Sequence, residues 1–225
     1  MYSFGNSYTD SGNYPEENWP LAENTWVEYL AQKFNFVLSP STDGGTNYAF
    51  GGARLVDDYF QQAAQINIPS LKSQINSVAS FDSNDLVTFF GGANDYILNA
   101  DANYIIQGIT ENLNLLLQKG AKHILILNMM NLNLLPGIKE DDVGHGDSPT
   151  TTQLVNDVNS AFDGILNSLR NNFQDVNFYL YDFHTFSTDV ISNPSSFGIT
   201  DVFYDRLHMT EEVHEILAQL SLIHI

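Results

Sequence analysis

Cysteine is absent from the 225-residue chain, and basic residues are scarce: 8 lysines and arginines stand against 27 aspartates and glutamates, a net charge of −19. Without cysteine the chain has no disulfide, no thiol nucleophile and no zinc–thiolate site, which is compatible with either an oxidising or a reducing compartment. The negative charge repels the phosphate backbone of nucleic acids and anionic membrane surfaces. We therefore expect no nucleic-acid partner.

Long apolar runs are also absent. Runs such as Ile124–Leu127 are far too short to cross a bilayer, so we expect no stable membrane insertion. The first residues lack the basic, apolar and small-residue order of a signal peptide, so we expect any targeting segment to be missing from this chain. A hydrophobic content of 43% with 16% charged residues indicates a globular protein. We expect residues 1–225 to form one domain.

Apolar runs of strand length recur along the chain at Leu86–Phe90, Ile124–Leu127 and Val176–Leu180. Segments with helical spacing alternate with them, and the last follows Thr210, a plausible N-cap. These segments are Thr25–Phe34, Ser70–Ala79, Tyr104–Gln118, Thr152–Asn171, and Glu211 to near the C-terminus. The alternation predicts an α/β fold in which helices cover both faces of a parallel sheet.

The segment Pro136–Pro149 is acidic, rich in glycine and devoid of apolar periodicity, which predicts a surface loop. Because loops after strands lie on the ligand side of open α/β sheets, it is either a solvated connector or a lid.

Both ends of the chain look clipped. Met1–Phe4 is short for a first strand that we expect to be central, so residues upstream are expected to be missing. Leu220–Ile225 resembles the in-frame translation of a transposon end used in sequencing libraries, and we expect it not to be native.

Ser7 follows a short apolar stretch and lies in a turn rich in glycine and polar residues. A turn after a parallel strand exposes its side chains at the carboxyl edge of the sheet, where a nucleophile can meet a substrate. An ordinary turn serine would have the same surroundings. No G-x-S-x-G motif surrounds this or any other serine, so the α/β-hydrolase signature is absent.

A serine nucleophile needs a base, and His208 has the best-placed carboxylate. Asp205 precedes it by three residues in a turn before a helix, so the carboxylate can reach the Nδ1 atom of the ring. Asp182 and His184 form a weaker pair at the end of a strand. We interpret the remaining histidines as structural or surface residues; these are His123, His145, His214 and His224.

Ester chemistry also needs hydrogen-bond donors for the developing oxyanion. Asn47–Ala53 and Phe89–Asp95 are both strand-to-glycine turns that can deliver a donor to the same sheet edge, and the second carries the side-chain amide of Asn94. Neither turn has the G-x-G-x-x-G spacing of a dinucleotide site.

Taken in order, these segments resemble the four blocks of the SGNH or GDSL hydrolase family, and a segment between the first two blocks looks like its acetylesterase, lipase and lysophospholipase branch. The matching residues are Gly5, Asn6, Ser7, Asp10, Gly12 and Asn13; Gly52; Gly92, Asn94 and Asp95; and Asp205 and His208. The resemblance implies a flavodoxin-like three-layer α/β/α sandwich. It also implies that Ser7 is the nucleophile, His208 the base and Asp205 its partner.

The resemblance further implies that Gly52 and Asn94 complete an oxyanion hole with the amide of Ser7. Neither a metal nor a cofactor is expected, and the family suggests a protein that acts outside the cell. The family usually has aspartate where this chain has Asn6 and proline where it has Met209. We expect these departures to retain the fold.

The resulting hypothesis is a serine esterase that acts through an acyl-enzyme. Its partner would be a small-molecule, carbohydrate or lipid ester, and acetylated sugars, short-chain esters and lysophospholipids all stay open as substrates. A non-catalytic binding protein on the same fold and an acyltransferase with the same acyl-enzyme are the alternatives.

Overall fold

A computed structural model of the protein describes residues 1–15, 24–140 and 149–225. Its strands are β1 (Tyr2–Gly5), β2 (Tyr59–Gln61), β3 (Ile66–Ile68), β4 (Leu86–Phe90), β5 (His123–Leu127) and β6 (Asn177–Tyr181). Four of them form one sheet in the order β1-β4-β5-β6, and every pairing in it is parallel. The short strands β2 and β3 form a separate antiparallel hairpin.

Helices fill most of the connections between these strands. They are α1 (Trp26–Lys33), α2 (Leu71–Asn76), α3 (Ala93–Ile97), α4 (Ala102–Gln118), α5 (Pro136–Lys139), α6 (Pro149–Asn172), α7 (Phe183–Ser192) and α8 (Glu211–Ser221). Helix α1 packs on α8, while α4 packs on both α2 and α6. None of the helices in the described ranges is both long and apolar enough to span a membrane.

Strands β4 and β5 are covered on both faces. After its first residue, each strand is buried at every position, although successive side chains point to opposite faces of a sheet. Continuous apolar runs of this kind are typical of a parallel sheet between two layers of helices. The predicted three-layer α/β/α fold is confirmed.

Strand β1 lies at one end of the four-stranded order, so the expectation that it is central was only partly right. Its other side is covered by residues 46–48, where Ser3 donates its N–H to Thr46 O and accepts the N–H of Tyr48. Only a single bridge, between Ser3 and Asn47, forms there. The segment that would make β1 central is therefore too short to count as a strand.

The three predicted strands are present, and the last is shifted by one residue to Asn177–Tyr181 because its register with β5 runs through Tyr181. All five predicted helices are also present, with different ends. The helix predicted at Ser70–Ala79 covers only Leu71–Asn76, and the one predicted at Thr152–Asn171 begins three residues earlier, at Pro149. Thr210 is the N-cap of α8, but its hydroxyl donates to Asp201 O instead of capping the helix.

The prediction of a surface loop over Pro136–Pro149 was partly wrong. Pro136–Lys139 form α5, where proline takes the first helical turn and Ile138 is fully buried, and Pro149 begins α6. The intervening residues 141–148 lie outside the described residues, and with them the choice between connector and lid. His145 lies there as well.

The β2–β3 hairpin and α7 were not predicted from the sequence. Each hairpin strand has only three residues, which is too short for alternation to be recognised. Helix α7 begins directly after β6, with only Asp182 between them. Asp182 is the N-cap of the helix and accepts the N–H of Thr185.

Candidate active site

The predicted site residues meet at the carboxyl edge of the sheet. Ser7 follows β1, Asn94 follows β4, and Gly52 lies in the turn beyond the segment that covers β1. With His208, these residues line a cleft of about 160 Å³, which we call the Ser7 cleft. The four-residue arrangement brings together segments from both ends of the chain.

Ser7, His208 and Asp205 form a continuous chain of hydrogen bonds. The Ser7 hydroxyl lies 2.8 Å from Nε2 of His208, and Nδ1 of the same ring lies 2.7 Å from Oδ2 of Asp205. An ionised carboxylate only accepts hydrogen bonds, so Nδ1 carries the proton and Nε2 presents its lone pair to the hydroxyl. This is the arrangement of a serine nucleophile with its general base.

The Asp205 carboxylate also holds the segment that carries the base. Its Oδ1 atom accepts the backbone N–H groups of Leu207 and His208, each at 2.6 Å. Burial raises the pKa of Asp205, but the hydrogen bond and charge of His208 outweigh burial and the net pKa lies below its usual value. Asp205 is therefore ionised at neutral pH, as its contact with the imidazole requires.

Two tyrosine rings pack against the imidazole of His208. The centroid of the Tyr8 ring lies 5.6 Å from that of His208, and the Tyr204 ring stacks on it at 5.7 Å. The hydroxyl of Tyr8 donates to Leu207 O at 2.6 Å. Tyr8 thus connects the turn that carries Ser7 with the segment that carries His208, a contact for which the sequence contained no signal.

The turn that carries Ser7 is closed by Asn6. Its backbone oxygen accepts the N–H groups of Thr9 and Asp10, and its side-chain oxygen accepts the N–H of Tyr8 at 3.1 Å. Asn6 is only 2% exposed. An amide oxygen accepts this bond as a carboxylate would, so the turn forms without the aspartate that is usual in the family.

The three residues expected to form an oxyanion hole all line the Ser7 cleft. Within the described residues, the backbone N–H groups of Ser7 and Gly52 have no protein acceptor. The side-chain nitrogen of Asn94 donates one hydrogen to Ala53 O at 3.0 Å and has a second to offer. Gly52 adopts a φ of +79°, a conformation that glycine reaches without strain.

Comparison with known proteins identifies the family of the chain. The sequence profile described as GDSL-like Lipase/Acylhydrolase matches residues 1–221. The chain belongs to this acylhydrolase family. No curated protein sequence matches the chain significantly.

Solved structures show the same fold over nearly the whole acylhydrolase chain. A member of the lipolytic G-D-S-L family from Veillonella parvula DSM 2008 has 18% identity and a TM-score of 0.58, covering 99% of this chain and 95% of its own. A carbohydrate acetylesterase from Sinorhizobium meliloti has 14% identity and a TM-score of 0.56, covering 100% and 98%.

A third structure is a mutant of an acetyl-xylooligosaccharide esterase from Geobacillus. It has 18% identity and a TM-score of 0.51, and the alignment covers 99% of this acylhydrolase and 92% of that chain. At such identities the likeness shows the fold alone.

Asp10 joins two loops of the acylhydrolase site. It is fully buried, and its carboxylate accepts four backbone N–H groups, three from the turn after Ser7 and one from Gly51; the distances are 2.9 Å for Gly12, 2.7 Å for Asn13, 3.0 Å for Tyr14 and 2.8 Å for Gly51. Burial raises the pKa of Asp10 although these N–H groups lower it. The sequence marked Asp10 only as part of a motif and did not indicate that it fixes the glycine turn.

Asp95 supports the same glycine turn from the other side. Both of its carboxylate oxygens lie 3.1 Å from the N–H of Leu55, two residues after Ala53. Asp95 is 1% exposed, and burial raises its pKa to about 6. A buried group with such a pKa is a common companion of a functional site.

The other candidate pair is not assembled for catalysis. The carboxylate of Asp182 accepts from Asn128 and from the backbone and hydroxyl of Thr185, which makes it the N-cap of α7.

His214 is buried in α8, where its Nδ1 atom accepts the N–H of Trp26 at 3.2 Å. Burial lowers the pKa of His214 to about 3, so it is neutral.

The titratable side chains that the structure describes are not clustered as metal ligands would be. Within residues 1–15, 24–140 and 149–225, no group of three or more histidine, aspartate or glutamate side chains is arranged to hold an ion. A larger cavity of about 470 Å³ lies at the opposite edge of the sheet, lined by Met1, Leu86 and His123 at the starts of their strands. It shares no lining residue with the Ser7 cleft.

Proposed function

We propose that this acylhydrolase is a serine esterase that hydrolyses carboxylic esters through a covalent acyl-enzyme. The observation that carries the proposal is the chain of hydrogen bonds from Ser7 through His208 to Asp205. The two ring nitrogens of His208 lie 2.8 Å from the Ser7 hydroxyl and 2.7 Å from the Asp205 carboxylate. The same cleft contains the oxyanion donors that such a reaction needs.

In the first half-reaction, the Ser7 hydroxyl attacks the carbonyl carbon of the ester. Nε2 of His208 takes the hydroxyl proton while Oγ forms the new bond and the carbonyl electron pair moves to oxygen. Collapse of this intermediate breaks the bond to the leaving alcohol, which takes the proton from Nε2. Asp205 stays ionised throughout and stabilises the imidazolium that forms between these steps.

In the second half-reaction, water replaces the alcohol. Nε2 takes a proton from water, whose oxygen attacks the acyl carbon, and collapse returns the proton to Ser7 Oγ and releases the carboxylic acid. An added alcohol that competes with water at this step would give an ester product, and its yield measures any acyltransferase activity.

Three donors stabilise the negative charge on oxygen in both halves. The N–H groups of Ser7 and Gly52 and the second amide hydrogen of Asn94 are free to do so within the described residues. Asp10 binds the N–H of Gly51 and Asp95 that of Leu55, so the turn that carries Gly52 is held on both sides. A donor held in this way needs little reorganisation as charge develops, which is the main way such sites accelerate acyl transfer.

The substrate that we propose is uncharged. A net charge of −19 disfavours the approach of an anionic ester and has little effect on a neutral one. A carbohydrate acetylesterase and an acetyl-xylooligosaccharide esterase share the fold, which favours an acetylated sugar as one such substrate. Action outside the cell stays a prediction, and the fraction of activity in the culture medium of the native host tests it.

The decisive experiment compares the parent with Ser7→Ala and with the control Ser11→Ala. Ser11 lies in the same turn and its hydroxyl accepts from Asn47, so the control removes a hydroxyl without removing the nucleophile. We expect Ser7→Ala to lose ester hydrolysis by several orders of magnitude, because a triad member is removed. Ser11→Ala should keep most of it.

Mass spectrometry after treatment with an alkyl phosphonate provides a second measurement. The parent should carry one adduct on Ser7 and Ser7→Ala none. A folded parent that neither hydrolyses any ester nor forms the adduct would show that the chain is a binding protein on this fold.

A further inference from the structure

One wall of the Ser7 cleft is closed by a hydrogen bond between two distant segments. The hydroxyl of Tyr14 donates to Oε1 of Gln61 at 2.5 Å, and both residues line the cleft. Tyr14 belongs to the turn after Ser7, whereas Gln61 is the last residue of β2 in the hairpin. We call this hydrogen-bonded pair the clasp.

The clasp is held in place on the Tyr14 side. Tyr14 is 3% exposed, its N–H is bound by Asp10, and its ring packs edge-on against Phe50 at 5.8 Å. A Cβ atom on Gly51 would lie 3.0 Å from the ring, so the ring rests directly on the glycine turn. The position of the Tyr14 hydroxyl is therefore set by packing before Gln61 meets it.

Tyr59 holds the hairpin side against the same turn. It is in the same strand as Gln61, and its hydroxyl donates to Gly52 O at 3.2 Å. Arg54 lies 4.5 Å above its ring, a cation–π contact that fixes the ring further. Both partners of the clasp are thus anchored to the glycine turn that carries an oxyanion donor.

The volume of the Ser7 cleft sets a limit on what it can hold. At about 160 Å³ it is well below the ~300–1,000 Å³ of sites for drug-sized ligands. A carbonyl group and a few acyl carbons fit this space, and the long chain of a lysophospholipid does not.

The chemistry assigns the two halves of the ester to different sides of the cleft. The leaving oxygen must come within reach of Nε2 of His208, so the alcohol part lies toward the histidine. The rest of the lining, which is left for the acyl part, comprises the clasp and Tyr59 together with Ile97 and Leu98.

We propose that the clasp is the end wall of the acyl site and restricts the enzyme to esters of short acyl groups, from acetyl to butyryl. Tyr14 and Gln61 are then residues that determine specificity and take no part in the bond changes. This inference rests on the proposed esterase function and selects among the substrates that the family leaves open.

The test uses the p-nitrophenyl esters of acetate, butyrate and octanoate, which share one leaving group and differ only in acyl length. The quantity measured is the ratio of kcat/KM for octanoate to that for acetate. We expect this ratio to be about one tenth or less in the parent. Each methylene that a pocket excludes lowers kcat/KM roughly tenfold or more.

Two variants open the clasp in different ways. Gln61→Ala removes the wall and should raise the ratio by about tenfold, the scale of one or two methylene groups in a pocket. Tyr14→Phe removes only the donor hydroxyl and leaves the ring on Gly51, so a smaller rise is expected. The control is Gln62→Ala, which truncates the exposed neighbour on the hairpin and should leave the ratio at the parent value.

Each outcome decides the inference. Equal rates on octanoate and acetate in the parent overturn it, and so does an unchanged ratio in folded Gln61→Ala. Should Gln61→Ala fail to fold by circular dichroism, Tyr14→Phe decides in its place. Failure of the esterase proposal looks different, because no ester is then hydrolysed and Ser7 takes no phosphonate.

Discussion

At the scale of single residues, Asn94 and Asp95 have different tasks although they are adjacent. The Asn94 side chain lines the Ser7 cleft and has one N–H group to offer to a substrate. The Asp95 side chain is turned into the protein, where it binds the N–H of Leu55. One substitution should therefore affect the reaction and the other the stability of the fold.

We predict that Asn94→Ala lowers kcat by roughly 10²-fold, the usual loss for one oxyanion donor, and changes KM much less. The reason is that the bond to oxygen becomes strong only as negative charge develops. Steady-state kinetics on a short-chain ester provides the measurement. Asn114→Ala is the matched control, since it removes an amide that donates to a backbone oxygen at 2.9 Å within α4, outside the residues that line the cleft. A change in KM alone would mean that Asn94 positions the substrate.

We predict that the free energy of unfolding of Asp95→Asn, relative to that of the parent, increases as the pH rises from 4 to 7. Burial raises the folded pKa of Asp95 from 3.8 to about 6, so its contribution is greatest below pH 4 and is lost as the pH rises through 6. The shift corresponds to about 3 kcal/mol between these limits at ~1.4 kcal/mol per pKa unit.

Urea unfolding of parent and Asp95→Asn at several pH values measures this difference. Asp163→Asn, at an exposed position on α6, serves as the control and should track the parent. If the difference between Asp95→Asn and the parent stays constant from pH 4 to pH 7, Asp95 is ionised in the folded protein throughout.

At the scale of elements, the site depends on how two segments from opposite ends of the chain are held together. The turn after β1 carries Ser7, and the segment before α8 carries His208. The bond from Tyr8 to Leu207 O joins residues 199 positions apart in the sequence. This bond ties the turn that carries Ser7 to the segment that carries His208, and so helps to set the distance between these two residues.

We predict that Tyr8→Phe lowers kcat by about tenfold and the free energy of unfolding by about 1 kcal/mol, because small displacements of a base from its nucleophile are costly and a hydrogen bond is lost. Kinetics and denaturation of the same preparations measure the two effects. The control is Tyr104→Phe, which removes a hydroxyl bound to Asp57 at the surface. A Tyr8→Phe enzyme with the parent kcat would show that the Tyr8 hydroxyl does not help to place the histidine.

At the scale of the whole molecule, charge is the dominant feature. The net charge is −19 on 225 residues. The carboxylates repel one another more in the compact state than in the unfolded chain, where they lie farther apart. Ion pairs among the described residues are few and mainly exposed, as for Lys72 with Glu111, so they offset little of this repulsion.

We predict that the melting temperature rises when NaCl is increased from about 10 mM to about 0.5 M, because salt screens charges more than one Debye length apart. A gain of about 1 kcal/mol corresponds to roughly 2–4 °C for a domain of this size. Differential scanning calorimetry at pH 7 gives the value. Tetramethylammonium chloride should act as NaCl does, and a rise with sodium alone would indicate a specific ion site.

Much of the fold was predictable because its signals are local. The buried runs of β4 and β5 are continuous, and helices α4 and α6 repeat their apolar residues over several turns. Short elements such as the β2–β3 hairpin contain too few residues for a period to appear. The segment Pro136–Pro149 was interpreted from composition, which does not indicate where a helix such as α5 begins.

The site divides in the same way. Asp205 and His208 are three residues apart, so their contact follows from turn geometry, and the amino acid types needed for ester hydrolysis could be recognised in order along the chain. The sequence alone thus determined the fold class and the residues proposed for catalysis.

Only the tertiary structure decided how those residues are supported and how large the cleft is. The bonds from Tyr8 to Leu207, from Tyr14 to Gln61 and from Gly5 to Gln74 join positions 199, 47 and 69 residues apart. Such contacts depend on how helices, hairpin and sheet pack together, and packing leaves no period or motif in the neighbouring residues. The sequence therefore specified the chemistry, whereas the packing of distant segments set the geometry in which that chemistry can take place.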